Sequence, residues 1–255
     1  MPNKKPWWIW ALAALGVLVL ASPLLVFLIW PRIERVALAR FYGHDQPCLW
    51  NTLTALPDLS ISPSRGQTLS YSGIAFNVPW DDLVGERRIE QLAMDSWNFH
   101  SGQLIRVYVG GPEPVFMDGG LSTAKTGVDP EMKAFELERS IAQSTPSRVH
   151  LWGPQQAELG FMLTKSLRMD RCERPEVFYI STPTFKGFQY GIPKPGRWDS
   201  TVGVRLFSTS RTIIFNFQGA YPHSPVATQA DINLIVQSLR EAPGTAAPTS
   251  APANP

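Results

Sequence analysis

The prediction of the fold starts from the stretch VGVRLFSTSRTIIFNFQ at residues 202–218. Two apolar runs flank the Ser-Thr-Ser sequence at residues 208–210, and this pattern predicts a β-hairpin. In the second run Ile213, Phe215 and Phe217 occupy alternate positions, so one face of that strand is predicted to enter a core.

A helix is predicted directly after this hairpin. Its start is either Ser224-Pro225 or Thr228, because both are typical of a helix N-terminus. Its apolar residues recur at i, i+3, i+4 and i+7, the spacing of one helix face. They are Ile232, Ile235, Val236 and Leu239.

Further strands and helices precede the hairpin. Strand patterns occur in YSGIAFNVP, where Ile74, Phe76 and Val78 alternate, in MDSWNFH and QLIRVYV around Ser101-Gly102, and in the pair EVFYIST and FKGFQYGIP. A helix is predicted after Asp129-Pro130, with Ala134, Leu137 and Ile141 on its apolar side. Three further helices are predicted, near Gln155–Met169, at Ile33–Tyr42 and at Cys48–Ala55. Strands in hairpins with helices between groups predict an α+β body with a mainly antiparallel sheet packed by helices.

The early strand YSGIAFNVPW and the terminal strand and helix, IIFNFQ…ADINLIVQSLR, resemble the PsbP/Mog1 type of α/β/α sandwich. The resemblance covers residues 67–240. It implies a small accessory or binding domain and carries over no catalytic residues. The stretch at residues 80–95 and the two helices in mid-chain depart from that type.

The N-terminal stretch WWIWALAALGVLVLASPLLVFLIW, from Trp7 to Trp30, contains no charged residue. A helix of this length, about 36 Å, spans the roughly 30 Å hydrocarbon core of a bilayer. Cleavage after Ala21 would leave an apolar N-terminus in water, so a retained transmembrane helix is predicted rather than a signal peptide. With Lys4 and Lys5 ahead of it, the body is predicted to lie outside the cytoplasm, in the periplasm of a bacterium.

The chain is therefore divided into five parts. They are a basic N-terminal tail at 1–6, the transmembrane helix at 7–30, a juxtamembrane helical segment at 31–66, the α+β domain at 67–240 and a Pro/Ala-rich disordered tail at 241–255.

The charge balance bears on the class of partner, and the two cysteines bear on the compartment. Without Lys4 and Lys5, basic and acidic residues balance at 21 each, which argues against a nucleic-acid partner. The two cysteines, Cys48 and Cys172, are expected either to form one disulfide, as in exported domains, or to be unrelated buried thiols.

Local catalytic motifs are weak. Ser122 and Lys125 match the S-x-x-K pattern of serine acyl-enzymes, but they lie in a Gly-rich stretch rather than at a helix start. The four histidines do not share a metal-ligand spacing. No catalytic residue, cofactor or metal site is predicted.

The stretch FKGFQYGIPKPGRW at residues 185–198 combines aromatic and basic residues, which dominate interface energetics. One interpretation is an exposed loop that binds a protein partner in the cell envelope, through Phe185, Lys186, Phe188, Tyr190, Arg197 and Trp198. The other is a β-hairpin whose Phe185, Phe188 and Tyr190 pack inward.

The leading hypothesis is a single-pass membrane protein with a non-catalytic binding or scaffold domain at the extracytoplasmic face. One alternative is a membrane-tethered hydrolase that uses Ser122 and Lys125. Another is an interaction module that faces the cytoplasm.

Overall fold

The computed structural model describes residues 29–63, 66–89, 94–111, 134–149, 155–169, 172–194, 202–219 and 227–242. The predicted anchor at 7–30 lies outside these ranges except for its last two residues, and the predicted tail at 241–255 except for its first two. Among the helices of the described ranges, none combines the length and apolar character that a membrane crossing needs.

The described part contains four α-helices and eleven strands. The helices are α1 (29–45), α2 (Ala134–Gln143), α3 (Gln155–Arg168) and α4 (Gln229–Gln237), with 3₁₀ turns at Pro47–Trp50 and Pro146–Arg148. The strands are β1 (Thr54–Ala55), β2 (Gln67–Tyr71), β3 (Ile74–Val78), β4 (Leu83–Ile89), β5 (Met94–Phe99), β6 (Gln103–Gly110), β7 (Val177–Ser181), β8 (Lys186–Tyr190), β9 (Val202–Phe207), β10 (Thr212–Gly219) and β11 (Arg240–Glu241).

Eight strands form the large sheet, in the order β1-β7-β8-β9-β10-β6-β5-β4. Two antiparallel meanders, β4 to β6 and β7 to β10, join where β10 pairs with β6 along eight residues, from Thr212 opposite Gly110 to Gly219 opposite Gln103. Only β1, at one edge, runs parallel to its neighbour β7. The predicted α+β class with a mostly antiparallel sheet packed by helices is confirmed.

A smaller sheet in the order β11-β3-β2 lies with α4 on one face of the large sheet. Between them is a cluster that we call the sheet core. It includes Phe76, Trp97, Ile105, Val204, Phe215 and Ile235. Because successive strand residues point to opposite faces, the predicted alternation of Ile213, Phe215 and Phe217 places all three in this core.

Helices α1, α2 and α3 cover the other face of the large sheet. The cluster beneath them, which we call the helix core, includes Ala39, Leu49, Ala142, Met162, Val177 and Phe188. The layers are therefore helices, a large sheet, and a small sheet with one helix, rather than helices alone on both faces.

One local prediction is wrong, and one strand has no counterpart among the predictions. The predicted helix at Cys48–Ala55 is wrong: a 3₁₀ turn at Pro47–Trp50 and the short strand β1 occupy this stretch. The long stretch at 80–95 contains β4, which the pattern does not predict because its charges and glycine interrupt any alternation. The hairpins β5–β6, β7–β8 and β9–β10 and the helices at Ile33–Tyr42, at Gln155–Met169 and after Thr228 are confirmed.

Candidate ligand-binding groove

A groove of about 450 Å³ opens at one end of the large sheet. It lies where the β7–β8 turn, the β9–β10 turn and the first turn of α2 come together. Its lining consists of Ala134, Phe135, Thr182, Pro183, Thr184, Phe185, Lys186, Phe207, Ser208 and Thr209. This volume lies within the range of small-molecule sites.

Side-chain hydrogen bonds shape the two turns. In the β7–β8 turn the Thr182 backbone N–H donates to the Phe185 carbonyl at 2.8 Å, and the Phe185 N–H donates to the Thr182 hydroxyl at 2.9 Å. In the β9–β10 turn the Ser208 hydroxyl accepts from the Arg211 N–H at 3.1 Å. Hydroxyl residues commonly close turns in this way, so the rim of the groove is locally determined.

Aromatic rings form the base of the groove. Phe135 of α2 stacks on Phe188 of β8, with ring centroids 5.5 Å apart, and meets Phe207 of β9 edge-on at 6.1 Å. Because these rings come from a helix and two strands, the groove has an apolar base that rigid elements hold in place.

Polar groups surround this base. Thr182, Thr184, Ser208 and Thr209 bring hydroxyls to the lining, and the exposed Lys186 brings an ammonium group. Lys186 begins β8 and pairs with Phe207 of β9, so its charge lies next to the aromatic base. An apolar cavity with a few convergent polar groups suits a ligand that has an apolar body and an anionic group.

A buried ionic cluster lies behind the groove, on α2, β8 and β9 and on the neighbouring helix α3. Glu138, one turn along α2 from Phe135, accepts a 2.7 Å hydrogen bond from the Tyr190 hydroxyl. The same Glu138 oxygen, Oε1, lies 3.4 Å from Nε of Arg168 and 3.5 Å from Nε of Arg205. Burial, together with the Glu138 charge, raises the pKa of Tyr190 well above its usual value. The cluster fixes α2 over β8 and β9 and thereby positions Phe135.

A second polar centre joins the N-terminal segment to α3. The ammonium of the fully buried Lys165 donates to the backbone carbonyls of Asn51 at 2.7 Å and Ser144 at 2.8 Å, with Leu49 at 3.5 Å. Burial, and to a lesser degree the charge of Arg148, lowers the pKa of Lys165 to about 8. This lysine is enclosed and bonded to backbone, so it acts as a structural tie.

Cys48 and Cys172 form a disulfide with their Cα atoms 5.5 Å apart, one of the two alternatives that the sequence left open. The Gln46 and Ser166 side chains hydrogen-bond each other beside it. The Asn51 side chain donates to the Pro175 carbonyl at 2.8 Å, and β1 pairs with β7. The part of the predicted juxtamembrane segment from Gln46 to Ala55 therefore packs directly on the α+β body.

Four of the six residues of the predicted partner-binding loop are described. Phe185, Phe188 and Tyr190 pack inward, whereas Lys186 is exposed. Arg197 and Trp198 lie outside the described residues, as do Ser122 and Lys125 of the predicted hydrolase motif. The structure brings Phe185 and Lys186 into the lining of the groove, whereas Phe188 supports the base from below by stacking on Phe135, and Tyr190 lies in the helix core.

Sequence reasoning predicted the two hairpins but did not assign their turns, Phe135 or Phe207 to a common site. One signal was available: consecutive hairpins in a meander place alternate turns at the same end of a sheet. Within the described ranges, no group of three or more His, Cys, Asp or Glu side chains could hold a metal ion.

Comparison with family models, with curated proteins and with solved structures finds no match to this chain. The groove and its residues are therefore interpreted from their own geometry.

Proposed function

We propose that this protein is a single-pass membrane-anchored binding protein. In this proposal its α+β body lies at the extracytoplasmic face and takes an amphipathic anion into the groove. The observation that carries the proposal is the groove itself, with its aromatic base, hydroxyl rim and single ammonium group. The resemblance to the PsbP/Mog1 type, whose members are mostly accessory or binding proteins, agrees with a role in binding.

The aromatic base favours an apolar ligand body. Removal of apolar surface from water contributes roughly 25 cal/mol per Å². The Lys186 ammonium adds attraction for a carboxylate, sulfonate or phosphate at the mouth, where solvent weakens but does not abolish the interaction. The hydroxyls of Thr182 and Ser208 bond within their own turns, which leaves Thr184 and Thr209 as the rim residues for ligand contacts.

The disulfide supports export of the body. Structural disulfides persist in oxidising compartments and are rare in the cytosol. The uncharged stretch from Trp7 to Trp30 supplies the sequence of an anchor. Together they favour an anchored, exported body over the alternative of a module that faces the cytoplasm.

Two fluorescent probes test the groove on the full-length protein in detergent. Anilinonaphthalene sulfonate has an aromatic body and an anion, and phenyl naphthylamine has a similar body without charge. We expect Thr209→Trp, which fills the groove, to weaken both probes about tenfold or more. Ser210→Trp in the same turn is the matched control, because Ser210 is exposed and outside the lining, and we expect it to bind like wild type.

Lys186→Gln separates charge from apolar contact. We expect it to weaken the sulfonate probe about three- to tenfold and to leave the neutral probe unchanged. Equal binding of both probes by wild type, Thr209→Trp and Lys186→Gln would contradict a ligand role for the groove.

Thiol labelling tests the compartment separately. Intact cells receive a membrane-impermeant thiol reagent, are lysed, and are then labelled again before and after reduction, with Cys48 and Cys172 counted by mass. Labelling only after reduction supports an exported, disulfide-bonded body. Labelling after lysis without reduction would place the body in the cytosol and overturn this part of the proposal.

A further inference from the structure

Helix α1 has two apolar sides. One side packs into the helix core through Ala39 and the partly buried Val36 and Tyr42. The opposite side exposes Trp30, Ile33, Leu38 and Phe41, with the exposed Glu34 on the same side, and we call it the outer face of α1. Trp30 is 63% exposed and Phe41 66%, which is high for large apolar side chains. A solvent-facing helix side is normally polar, so we expect another molecular surface to cover the outer face.

The position of α1 in the chain identifies that occupant. The outer face begins at Trp30, which is the last residue of the uncharged stretch that starts at Trp7. Pro31 follows at once, and its missing N–H and its ring favour a bend between that stretch and the rest of α1. A bend at this point allows α1 to lie along the bilayer surface instead of pointing away from it.

The composition of α1 fits a lipid surface. Indole and phenyl rings such as those of Trp30 and Phe41 suit the boundary between headgroups and acyl chains. The exposed Arg40, whose guanidinium lies 5.5 Å from the centroid of the Trp50 ring, adds a positive charge next to Phe41, and such charge attracts anionic headgroups. A second copy of the chain fits less well. A stable dimer buries about 800 Å² per partner, whereas Trp30 and Phe41, the two aromatic residues of the outer face, supply about 150–250 Å² each when fully buried.

We propose that α1 lies in the bilayer interface with its outer face among lipids, and that its packed face thereby holds the body against the membrane at a fixed orientation. This inference rests on the anchor of the proposed function. The body follows α1 because the disulfide of Cys48 to Cys172 and the Lys165 hydrogen bonds tie the segment after α1 to α3. The groove is then held at a constant height above the lipid.

The test places single labelled cysteines in the full-length protein in nanodiscs of phosphatidylcholine and phosphatidylglycerol. Ile33→Cys and Phe41→Cys report on the outer face, and both positions are exposed, so the fold tolerates them. Leu18→Cys reports on the anchor. Glu241→Cys, in β11 on the far side of the large sheet, is the solvent control. Each variant carries the same small fluorophore and is measured without quencher lipids, with lipids that bear a quencher near the headgroup, and with lipids that bear one deep in the acyl chain, which is the depth expected for position 18.

We expect quencher lipids to lower the fluorescence at positions 33 and 41 about twofold or more and to leave position 241 unchanged. Quenching at position 18 alone would overturn this inference while the anchor stands. Oxidative cross-linking between Phe41→Cys copies, without quenching, would also overturn it and assign the outer face to a second copy. Absence of quenching at position 18 as well would remove the anchor, and the proposed membrane attachment would fail with it.

Discussion

The two cores of this molecule are built on different principles. The sheet core joins apolar side chains across two sheets, with the Phe76 ring 5.3 Å from that of Phe215 and 5.8 Å from that of Trp97, both edge-on. On the sheet-core side Asp95 is buried on the face of β5 that carries Trp97 and Phe99, whereas the helix core shares its side of the large sheet with a group of four buried charged residues. They are Glu138, Lys165, Arg168 and Arg205, each less than 10% exposed.

The contrast follows from chain connectivity. Neighbouring strands of a meander bring their apolar faces together without further help, because the backbone ladder sets their register. The elements of the helix core come from distant parts of the chain, and apolar contact alone would let them shift. Directional hydrogen bonds, ion pairs and a disulfide fix α2, α3 and the N-terminal segment, and the groove borders that region. Buried polar contacts here provide orientation rather than bulk stability.

The largest expected effect comes from the ionic cluster. Glu138→Ala removes the carboxylate that contacts Tyr190, Arg168 and Arg205 in a buried site, and we expect the free energy of unfolding to fall by about 3–5 kcal/mol. Urea unfolding, followed by circular dichroism, measures it.

The control is Glu136→Ala on the same helix. Glu136 pairs with Arg139 at 3.8 Å, and both side chains are more than half exposed, so we expect a change within about 0.5 kcal/mol. If both variants lost the same small amount, the cluster would not fix α2 and the contrast between the two cores would collapse.

Removal of the disulfide should have the next largest effect. The bond joins residues 124 positions apart, and its loss raises the conformational entropy of the unfolded chain. For the double variant Cys48→Ala, Cys172→Ala we expect a loss of about 2–4 kcal/mol by the same urea measurement. Reduced wild type should match the variant. Equal stability of oxidised and reduced wild type would show that the noncovalent ties of Lys165 and Asn51 suffice.

The sheet core could be predicted from the sequence because its information is local. Strand alternation at Ile213, Phe215 and Phe217 needs only the residues themselves. The exception, β4, pairs with β5 at the edge of the sheet through its backbone ladder, which the side-chain pattern does not predict.

The helix core and groove could not be predicted in this way. Glu138, Arg168 and Arg205 lie at least 30 residues from one another, so no spacing links them before the fold does. Likewise Phe135 and Phe207 meet only because α2 crosses β9. At Cys48–Ala55 tertiary contacts decide the local structure, since pairing with β7 holds Thr54 and Ala55 in a strand.

The pH dependence of stability reports on Lys165. Its pKa is lowered from 10.5 to about 8 in the fold, mainly by burial, so between these values the unfolded chain binds more protons than the folded one. The free energy of unfolding contributed by this group therefore rises with pH across that window, by at most about 1.4 kcal/mol per pH unit. Below pH 8 both states carry the proton and the contribution is constant.

The measurement compares urea unfolding of wild type and Lys165→Met from about pH 7 to about 9.5. Lys165→Met is less stable at every pH because three carbonyls lose their donor, but only wild type should show the rising slope. Higher pH is avoided because Tyr190, whose pKa is raised well above 10 in the fold, contributes a slope of the opposite sign there. Parallel profiles would mean that burial does not penalise the Lys165 charge.

The smallest expected change in the free energy of unfolding is at the edge of the sheet core, where a capping box closes the N-terminus of α4. Thr228 caps α4: its hydroxyl accepts from the Asp231 N–H at 3.2 Å, and its own N–H donates to the Asp231 carboxylate at 2.9 Å. We expect Thr228→Ala to cost about 1 kcal/mol and Thr228→Ser, which keeps the hydroxyl, to cost much less. Equal losses would implicate the threonine methyl group instead. A loss this small beside that of Glu138→Ala would show that the Thr228 cap only ends a helix, whereas the ionic cluster of Glu138 holds one in place.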